Sequence, residues 1–358
     1  MRLYIYLFTF FFIANLKAQE GIPVFFDYLT EHYYVVHPSL AGVNLEGTKF
    51  RMTSRKQWFD VENAPSVETF AVDSRLSQRS GVGAIFFNDK GGNSYQRGFS
   101  LTYAHHINFN TRNSRVSRPD LRNSGSINQL SFGLSLGRYS YGYDLPSTGL
   151  GTQGGGGLFG LEEGLEQNKD VGYFNFETGI SYVNLNYYVH LTLKNLLLKP
   201  DAIFGEEYIA ASNIIPGEDE DNTFNHNLFD FGKGILSAGY LIFTENRFSF
   251  EPSVLIMRDF LTSQTSIDFN IKGYYDLEYD QIWFGIASRN SLDGAESDKN
   301  LMNNVYAGQK LSIVSPFVGV NYRNFVFSYN YTFSLSKENY LPLGIHQFSL
   351  GYNLFVFN

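Results

Sequence analysis

The sequence predicts an all-β fold, a transmembrane antiparallel up-and-down β-barrel of about 14 strands. Three observations lead to this prediction. Apolar and polar residues alternate with a period of two along most of the chain, the composition is unusually aromatic, and the first residues are typical of an exported protein.

The alternation is clear in residues 266–279, where Ile267, Phe269 and Ile271 alternate with polar neighbours that include Asp268 and Lys272. Successive side chains of a strand point to opposite faces, so this segment has one apolar and one polar face. Residues 99–109, 130–137 and 325–335 follow the same pattern. Segments of about 10–14 residues exceed the average soluble strand of about 5–6 residues and match the length of a membrane strand.

The same pattern gives a candidate set of strands, with short and long links between them. The predicted strands are 47–59, 66–76, 81–89, 95–109, 127–142, 172–184, 186–198, 228–244, 247–259, 265–279, 281–291, 309–322, 324–336 and 345–357. Links such as 279–281 and 323–324 fit short periplasmic turns. The long polar links 110–126, 143–171, 199–227 and 292–308 are predicted to be outer loops.

The composition supports a membrane wall rather than a soluble core. Aromatic residues make up 17% of the chain, with 34 Phe and 25 Tyr, and charged residues also make up 17%. Ordinary soluble domains have about 25% charged residues. The chain has no cysteine, which excludes disulfides, thiolate metal sites and a lipid-modified cysteine. Apart from the first residues, no apolar run approaches the roughly 18 residues of a membrane-spanning helix.

Residues 1–18 have the layout of a secretory signal peptide. Arg2 precedes an apolar run from Leu3 to Ile13, and Ala18 offers a small residue at the cleavage point. The alternative, a membrane anchor, is disfavoured because the run is short. Removal of Arg2 and Lys17 would change the formal charge from −8 to −10, which gives no support for nucleic-acid binding.

Two regions follow the signal peptide, an N-terminal segment at 19–46 and the barrel at 47–358. The N-terminal segment contains Tyr33, Tyr34, Val35 and Val36 and is too apolar for a free tail. We therefore expect this segment to lie in the periplasm or in the lumen, packed inside or beneath the barrel. There it would narrow the barrel.

Short motifs in the expected order resemble one known family. They are His37-Pro38-Ser39-Leu40-Ala41-Gly42, similar to Asn-Pro-x-x-Ala-Gly; Arg55-Lys56-Gln57-Trp58, similar to Arg-x-Gln-Trp; Phe87-Asn88-Asp89-Lys90-Gly91; and Gly344-Ile345-His346-Gln347-Phe348 on the last strand. The family is that of the PorP/SprF membrane proteins of the type IX secretion and gliding machinery. The chain departs from it in having His37 for Asn and Gln347 where Glu is usual.

The resemblance implies a non-enzymatic barrel in the bacterial outer membrane, in contact with its lipid. The implied role is to support secretion or surface attachment of an adhesin. The implied partners are type IX secretion components and a secreted adhesin with a type B C-terminal domain. The motif residues expected to have family or structural roles are Pro38, Ala41, Gly42, Arg55, Gln57, Trp58, Asn88, Asp89 and His346.

Residues that carry other chemistry give weak signals. His105 and His106 are neighbours on a strand and point to opposite faces, so they are not expected to bind one metal ion. The acidic run 218–221 lacks the spacing of a calcium loop and fits a hydrated loop. The glycines of 154–157 lack the Gly-Lys-Ser/Thr of a phosphate loop, and no nucleophile elbow at a strand-to-helix turn stands out. We expect no catalytic residue, no cofactor and no metal.

Arg55 has two possible roles. It could satisfy acidic residues of the lumen, such as Glu68 or Asp73, or it could pin the N-terminal segment. In the long loops, apolar residues beside charge are typical of a protein interface. The candidate partner-binding residues are Leu158, Phe159, Ile214, Ile215 and Phe224.

Three functions stay open on the sequence alone: a secretion and adhesion partner, a diffusion channel for small solutes, and a barrel enzyme acting on lipid. A plugged lumen would favour the first function and an open lumen the second.

Overall fold

The structure, a computed structural model, is an antiparallel β-barrel. It describes residues 32–43, 47–57, 64–91, 94–109, 128–143, 170–184, 186–197, 232–244, 247–260, 264–278, 280–292, 312–335 and 344–354. The strands in these ranges are β1 Thr48–Gln57, β2 Ser66–Arg75, β3 Ser80–Gly91, β4 Ser94–Asn108, β5 Asn128–Tyr143, β6 Asp170–Asn184, β7 Tyr187–Lys194, β8 Lys233–Tyr240 with its continuation Ile242–Phe243, β9 Phe248–Asp259, β10 Thr265–Asp276, β11 Gln281–Ser291, β12 Ser312–Tyr322, β13 Phe325–Ser334 and β14 Ile345–Leu354.

The sheet closes on itself. Each strand pairs with its neighbours in the sequence, and β14 returns to pair with β1 from Thr48 opposite Leu354 to Gln57 opposite Ile345. Closure leaves no strand edge unpaired, as the hydrocarbon core of a bilayer requires. The predicted closed antiparallel barrel of about 14 strands is therefore confirmed.

The two faces of the wall differ as the alternation predicts. On β10, Asp268, Asn270 and Lys272 are buried on the inner face, whereas Phe269 and Ile271 are 54% and 58% exposed on the outer face. Lipid would cover this outer face. Among the described residues, no helix is long and apolar enough to cross a membrane.

The links between strands define the two ends of the barrel. The links 185–186, 244–247, 277–280 and 323–324 are short and lie at one end, called here the short-turn end. The first residue of β1, Thr48, and the last residue of β14, Leu354, pair at the same end. Bacterial barrels place short turns in the periplasm, so this is the periplasmic end. The other end is called the long-loop end.

One loop prediction is wrong. Residues 110–126 were expected outside, but Asn108 pairs with Gln129, and Asn128 pairs with Asn184 beside the β6–β7 turn. The link therefore joins its strands at the short-turn end. The reason is that successive links of an up-and-down barrel alternate between its two ends. The short β3–β4 link joins its strands at the long-loop end, so the next link, between β4 and β5, joins its strands at the short-turn end. Strands β5, β7 and β11 do end at the long-loop end, as predicted.

Candidate functional site: the lumen segment

Residues 32–43, called here the lumen segment, lie against the inner faces of the strands. They form a short α-helix, α1 Tyr33–Val36, and a 3₁₀ helix, Pro38–Leu40. Pro38 suits the first position of a helix, where a backbone N–H has no helical partner. Gly42, the last residue but one of the segment, has a φ of 61°, and a Cβ there would lie 2.5 Å from the carbonyl oxygen of Ser74. This backbone conformation and close approach both favour glycine.

Side chains of β2 and β4 hold the end of the lumen segment. The N–H of Gly42 donates to Asp73 Oδ2 over 3.0 Å, and Arg75 donates to the carbonyl oxygen of Gly42 over 2.9 Å. His106 Nε2 donates to the carbonyl oxygen of Ala41 over 3.0 Å. These contacts satisfy backbone groups that would otherwise be buried without partners.

The opposite wall holds the middle of the segment. His37 Nδ1 lies 2.8 Å from Thr192 Oγ1 on β7, and His37 Nε2 lies 2.8 Å from Ser237 Oγ on β8. Lys194 donates to the carbonyl oxygen of Val35 over 2.9 Å. The segment is thus bonded to strands on both sides of the lumen.

Apolar packing fills the space between the segment and the wall. Tyr34, Val35, Val36 and Ala41 form one buried cluster with side chains of β2, β3, β4, β8 and β9. The wall partners are Ala71, Ile85, Ala104, Ile235, Leu255 and Met257. Lumen positions of a barrel are usually polar, so an apolar cluster here indicates packing on the segment rather than a water-filled channel.

Glycines on the inner face allow the close approach. A Cβ on Gly133 would lie 2.2 Å from the backbone nitrogen of Ser39, and one on Gly81 would lie 2.0 Å from the carbonyl oxygen of Ala41. Any side chain at these positions would overlap the segment. The wall is therefore shaped to the segment as well as bonded to it.

A buried carboxylate anchors α1. Glu251 on β9 accepts a hydrogen bond from Tyr188 over 2.7 Å and another from Tyr33 over 3.2 Å. Tyr274 donates to its second carboxylate oxygen. A buried charge needs such partners, because an uncompensated carboxylate is costly in a low dielectric.

The two histidines of the segment are held in their neutral form. Burial lowers the pKa of His37 well below its usual value, and the nearby His190 and Lys194 lower it further. Burial also lowers the pKa of His32, although the Asp73 carboxylate, 3.7 Å from His32 Nε2, opposes that change. Both imidazoles are therefore uncharged at neutral pH.

Ion pairs line the lumen on the long-loop side of the segment. Lys194 lies 3.1 Å from Glu177, Arg289 makes two 2.8 Å contacts with Asp268, and Lys233 is 3.6 Å from Asp259. Each pair joins adjacent strands of the run from β6 to β11. All six charged groups of these pairs are buried and matched, which suits a rigid interior better than an ion pathway.

A cavity opens beneath the segment at the short-turn end. Its wall includes Tyr33, Arg51, Glu251, Lys272 and Trp283, and Lys272 Nζ lies 4.1 Å from the centre of the Trp283 ring. Within the described part of the chain, no cluster of three or more His, Asp or Glu side chains could hold a metal ion.

The motif residues separate into an inner and an outer set. Pro38, Ala41 and Gly42 belong to the lumen segment. Asp89 faces inward on β3, and Arg55 and Gln57 face inward on β1. Asn88 and His346 face outward, where His346 Nδ1 lies 2.9 Å from the hydroxyl of Tyr329. Trp58 lies outside the described residues.

The expected acidic partners of Arg55 need correction. Glu68 is exposed on the outer face, so it is not a lumen acid. Asp73 faces inward but accepts from Gly42. Asp89 instead shares the inner face with Arg55. Arg55 pairs with Val67 on β2, and Val67 pairs with Asp89 on β3. Strand register cannot be read from the sequence alone, and a shift of one residue in the alternation moves a side chain to the opposite face.

Residues that the sequence analysis did not connect with the lumen segment make most of the contacts with it. They are Asp73, Arg75, His106, Lys194, Thr192, Ser237 and Glu251. All are polar residues at inward positions of predicted strands. That pattern marks a lumen but does not identify which positions meet the segment. His105 and His106 point to opposite faces, as expected. His106 is buried in the lumen, whereas His105 and Tyr103, which share the outer face of β4, are not buried.

The proposed partner-binding residues are outside the described part of the chain. They are Leu158, Phe159, Ile214, Ile215 and Phe224. Residues 1–31 and 44–46, which include the expected signal peptide and the remainder of the N-terminal segment, are also outside it.

Comparison with solved structures returns membrane barrels. The CymD monoaromatic hydrocarbon channel is 11% identical, with 90% of this chain and 93% of that chain covered and a TM-score of 0.49. The toluene transporter TodX of Pseudomonas putida is 9% identical, with 90% and 93% covered and a TM-score of 0.45. A FadL homologue of Pseudomonas aeruginosa is 10% identical, with 88% and 92% covered and a TM-score of 0.43.

The sequence itself carries a family match. No curated protein matches the chain. The family described as type IX secretion system membrane protein PorP/SprF matches residues 17–352, which include the lumen segment and all but the last residues of β14. The match and the closed barrel together place the protein in the bacterial outer membrane. The chain belongs to the PorP/SprF family of type IX secretion system membrane proteins.

Proposed function

We propose that this barrel supports the secretion or surface attachment of a partner adhesin with a type B C-terminal domain. In this proposal it works with other components of the type IX machinery and performs no catalysis. The family supplies the association with type IX secretion. The adhesin is the proposal's own addition.

The observation that carries the proposal is the occupied lumen. His37 joins β7 and β8, while His106 and Arg75 hold Ala41 and Gly42 from the other wall. A lumen crossed by its own chain is poorly suited to steady diffusion of solutes. The two ends of the barrel are then the surfaces available for function, and protein contact is the function that such surfaces serve.

The long-loop end is the proposed contact surface for the adhesin. Apolar residues such as Phe159 and Ile214 stand among charged neighbours in the sequence of these loops. Aromatic and aliphatic anchors within a polar rim suit a protein interface. The short-turn end faces the periplasm and is the proposed contact surface for the remaining machinery.

Surface labelling of the adhesin tests this proposal. Deleting residues 149–166 or 205–224 should leave the barrel inserted and heat-modifiable but stop the adhesin from being secreted or held at the surface. The control is a full-length barrel expressed at the same level. Normal adhesin display after complete removal of this chain, with no related barrel to substitute, would contradict the proposed role.

The diffusion channel is the alternative that the same protein can test. In planar bilayers, we expect no steady large conductance from the intact barrel. Steady conductance that is unchanged when residues 19–46 are deleted would favour the channel instead.

A further inference from the structure

The outer face of the wall changes character towards the long-loop end. One row of directly paired, outward-facing residues on β13, β14 and β1–β4 is wholly apolar. It consists of Phe327, Leu350, Met52, Phe70, Phe86 and Phe99. All six side chains are exposed on the barrel surface, as lipid-facing residues are.

A second row lies four residues nearer the long-loop end, about 13 Å along the strands. It consists of Tyr331, His346, Lys56, Ser66, Lys90 and Tyr95. The apolar wall therefore gives way to tyrosines and cations within this distance. The change marks the boundary between acyl chains and head groups in the outer leaflet.

Cations are concentrated on this part of the boundary. Lys56, Lys90, Arg97 and Arg138 face outward on β1, β3, β4 and β5. Lys90, Arg97 and Arg138 are exposed, and the Arg97 guanidinium lies over the Tyr95 ring at 5.1 Å. Glu68 on β2 is the outward carboxylate among the described side chains of β1 to β5. Four cations against one carboxylate give the patch a net positive charge.

In the rest of the wall, the described side chains form no comparable patch. Among the described side chains of β6 to β13, Arg258 is the outward-facing cation, and it donates to Thr265 Oγ1 over 2.8 Å. The cations are thus gathered on one side of the barrel. A general requirement for charge at the membrane surface would distribute them around the circumference.

We propose that the outer face of β1, β3, β4 and β5 binds the phosphate groups of the phosphorylated glycolipid of the outer leaflet. Lys56, Lys90, Arg97 and Arg138 bind the phosphates, and Tyr95 and Tyr331 lie at the glycolipid's polar boundary. Guanidinium and ammonium groups form strong charge-assisted hydrogen bonds with phosphate. The apolar row below receives the acyl chains, so the two rows together match an amphipathic lipid. This inference rests on the wall alone and not on the adhesin.

Native mass spectrometry of the mature barrel in neutral detergent tests the proposal. The probes are bisphosphorylated lipid A and the same lipid with both phosphates removed. Wild-type protein should bind the phosphorylated lipid on the order of tenfold or more tightly, because each cation near an anionic head group adds to the attraction. The triple variant Lys56→Gln, Lys90→Gln and Arg97→Gln should lose this preference. The matched control is Arg258→Gln, which should keep it.

Two results would overturn the proposal. One is equal binding of the two lipids by the wild-type protein, and the other is an equal loss of preference in Arg258→Gln and the triple variant. Binding of inorganic phosphate alone as tightly as the phosphorylated lipid would assign the patch to free phosphate and also contradict the proposal. Heat-modifiability on gels shows whether each variant is a folded barrel. If the triple variant does not fold, Lys90→Gln and Arg97→Gln are tested singly, each with a several-fold loss expected.

Discussion

His106 on β4 donates from Nε2 to the carbonyl oxygen of Ala41, with 3.0 Å between the two atoms. Since Nε2 carries the proton, Nδ1 accepts from Ser131 Oγ over 2.7 Å and Gln129 Nε2 over 3.0 Å. One imidazole therefore joins the wall to the lumen segment, and the wall fixes its tautomer. Similar contacts on the other wall make the position of the segment testable.

A disulfide should lock the segment in place. Ser39 Oγ and Ser181 Oγ are hydrogen-bonded, and the native chain has no cysteine. Ser39→Cys with Ser181→Cys should cross-link on mild oxidation and keep conductance low in planar bilayers. Ser39→Cys with Ser54→Cys is the control, because Ser54 faces outward, and it should not cross-link. Failure of the first pair to cross-link in a folded barrel would contradict the docked position.

Gly133→Ala should displace the segment. The added Cβ would lie 2.2 Å from the backbone nitrogen of Ser39, and 2.3 Å from the carbonyl carbon of Pro38. We expect a destabilisation of about 1–3 kcal/mol, the usual cost of overpacking, measured as a lower thermal midpoint of the barrel.

The matched control for this change is Gly172→Ala. A Cβ there would face outward and meet its nearest atom, on Arg138, at 3.7 Å, an ordinary contact. Its midpoint should stay near that of the wild type. Equal midpoints for the two variants would show that Gly133 does not limit the space for the segment.

Acidification should loosen the segment. Burial holds the pKa of His37 well below its usual value, so released chain binds a proton below pH of about 6.5 while the docked imidazole does not. The stability of the docked segment is therefore full above that pH and falls as the pH decreases. Conductance should rise with acidification in wild-type protein.

The control for the pH effect is His37→Gln, which keeps hydrogen-bonding groups but does not titrate. Its conductance should depend less on pH, with His32 supplying a remaining part because burial lowers its pKa too. A wild-type conductance that is flat between neutral and mildly acidic pH would refute this account.

Removing Lys194 should cost more than removing its ion pair. Lys194 contacts Glu177 at 3.1 Å and donates to Val35. Lys194→Met leaves a buried carboxylate unpaired, which typically costs about 3–5 kcal/mol. Adding Glu177→Gln should recover part of that loss, as measured by thermal unfolding of all four members of the cycle. Additive effects of the two changes would show that the pair is not coupled.

The wall could be predicted from sequence because each strand carries its own signal. The alternation of Phe269 and Ile271 with Asp268 and Asn270 depends on neighbouring residues and needs no knowledge of the fold. The contacts of Arg55 and Glu68 could not be predicted in the same way, because they depend on strand register and facing direction. To predict at which end of the barrel the link 110–126 joins its strands, every earlier link had to be counted, including the two-residue link between β3 and β4.

The lumen segment was only partly predictable. Its apolar residues, such as Val35 and Val36, indicated that it packs against something. Nothing local in the sequence pairs His37 with Ser237 or Ala41 with His106, since these contacts join residues far apart in the chain. Glycines such as Gly81 and Gly133 gave a weak signal, because glycine in a strand often marks a close backbone approach.

The contacts of the lumen segment also have a kinetic consequence. They span 65 residues from Ala41 to His106, 200 residues from His37 to Ser237 and 218 residues from Tyr33 to Glu251. Contacts between such distant residues form slowly, because the intervening chain must be ordered first. The segment leaves the translocation channel early but acquires its last partners only when β9 is in place. Until then its tyrosines and valines lack the wall partners that bury them in the finished barrel.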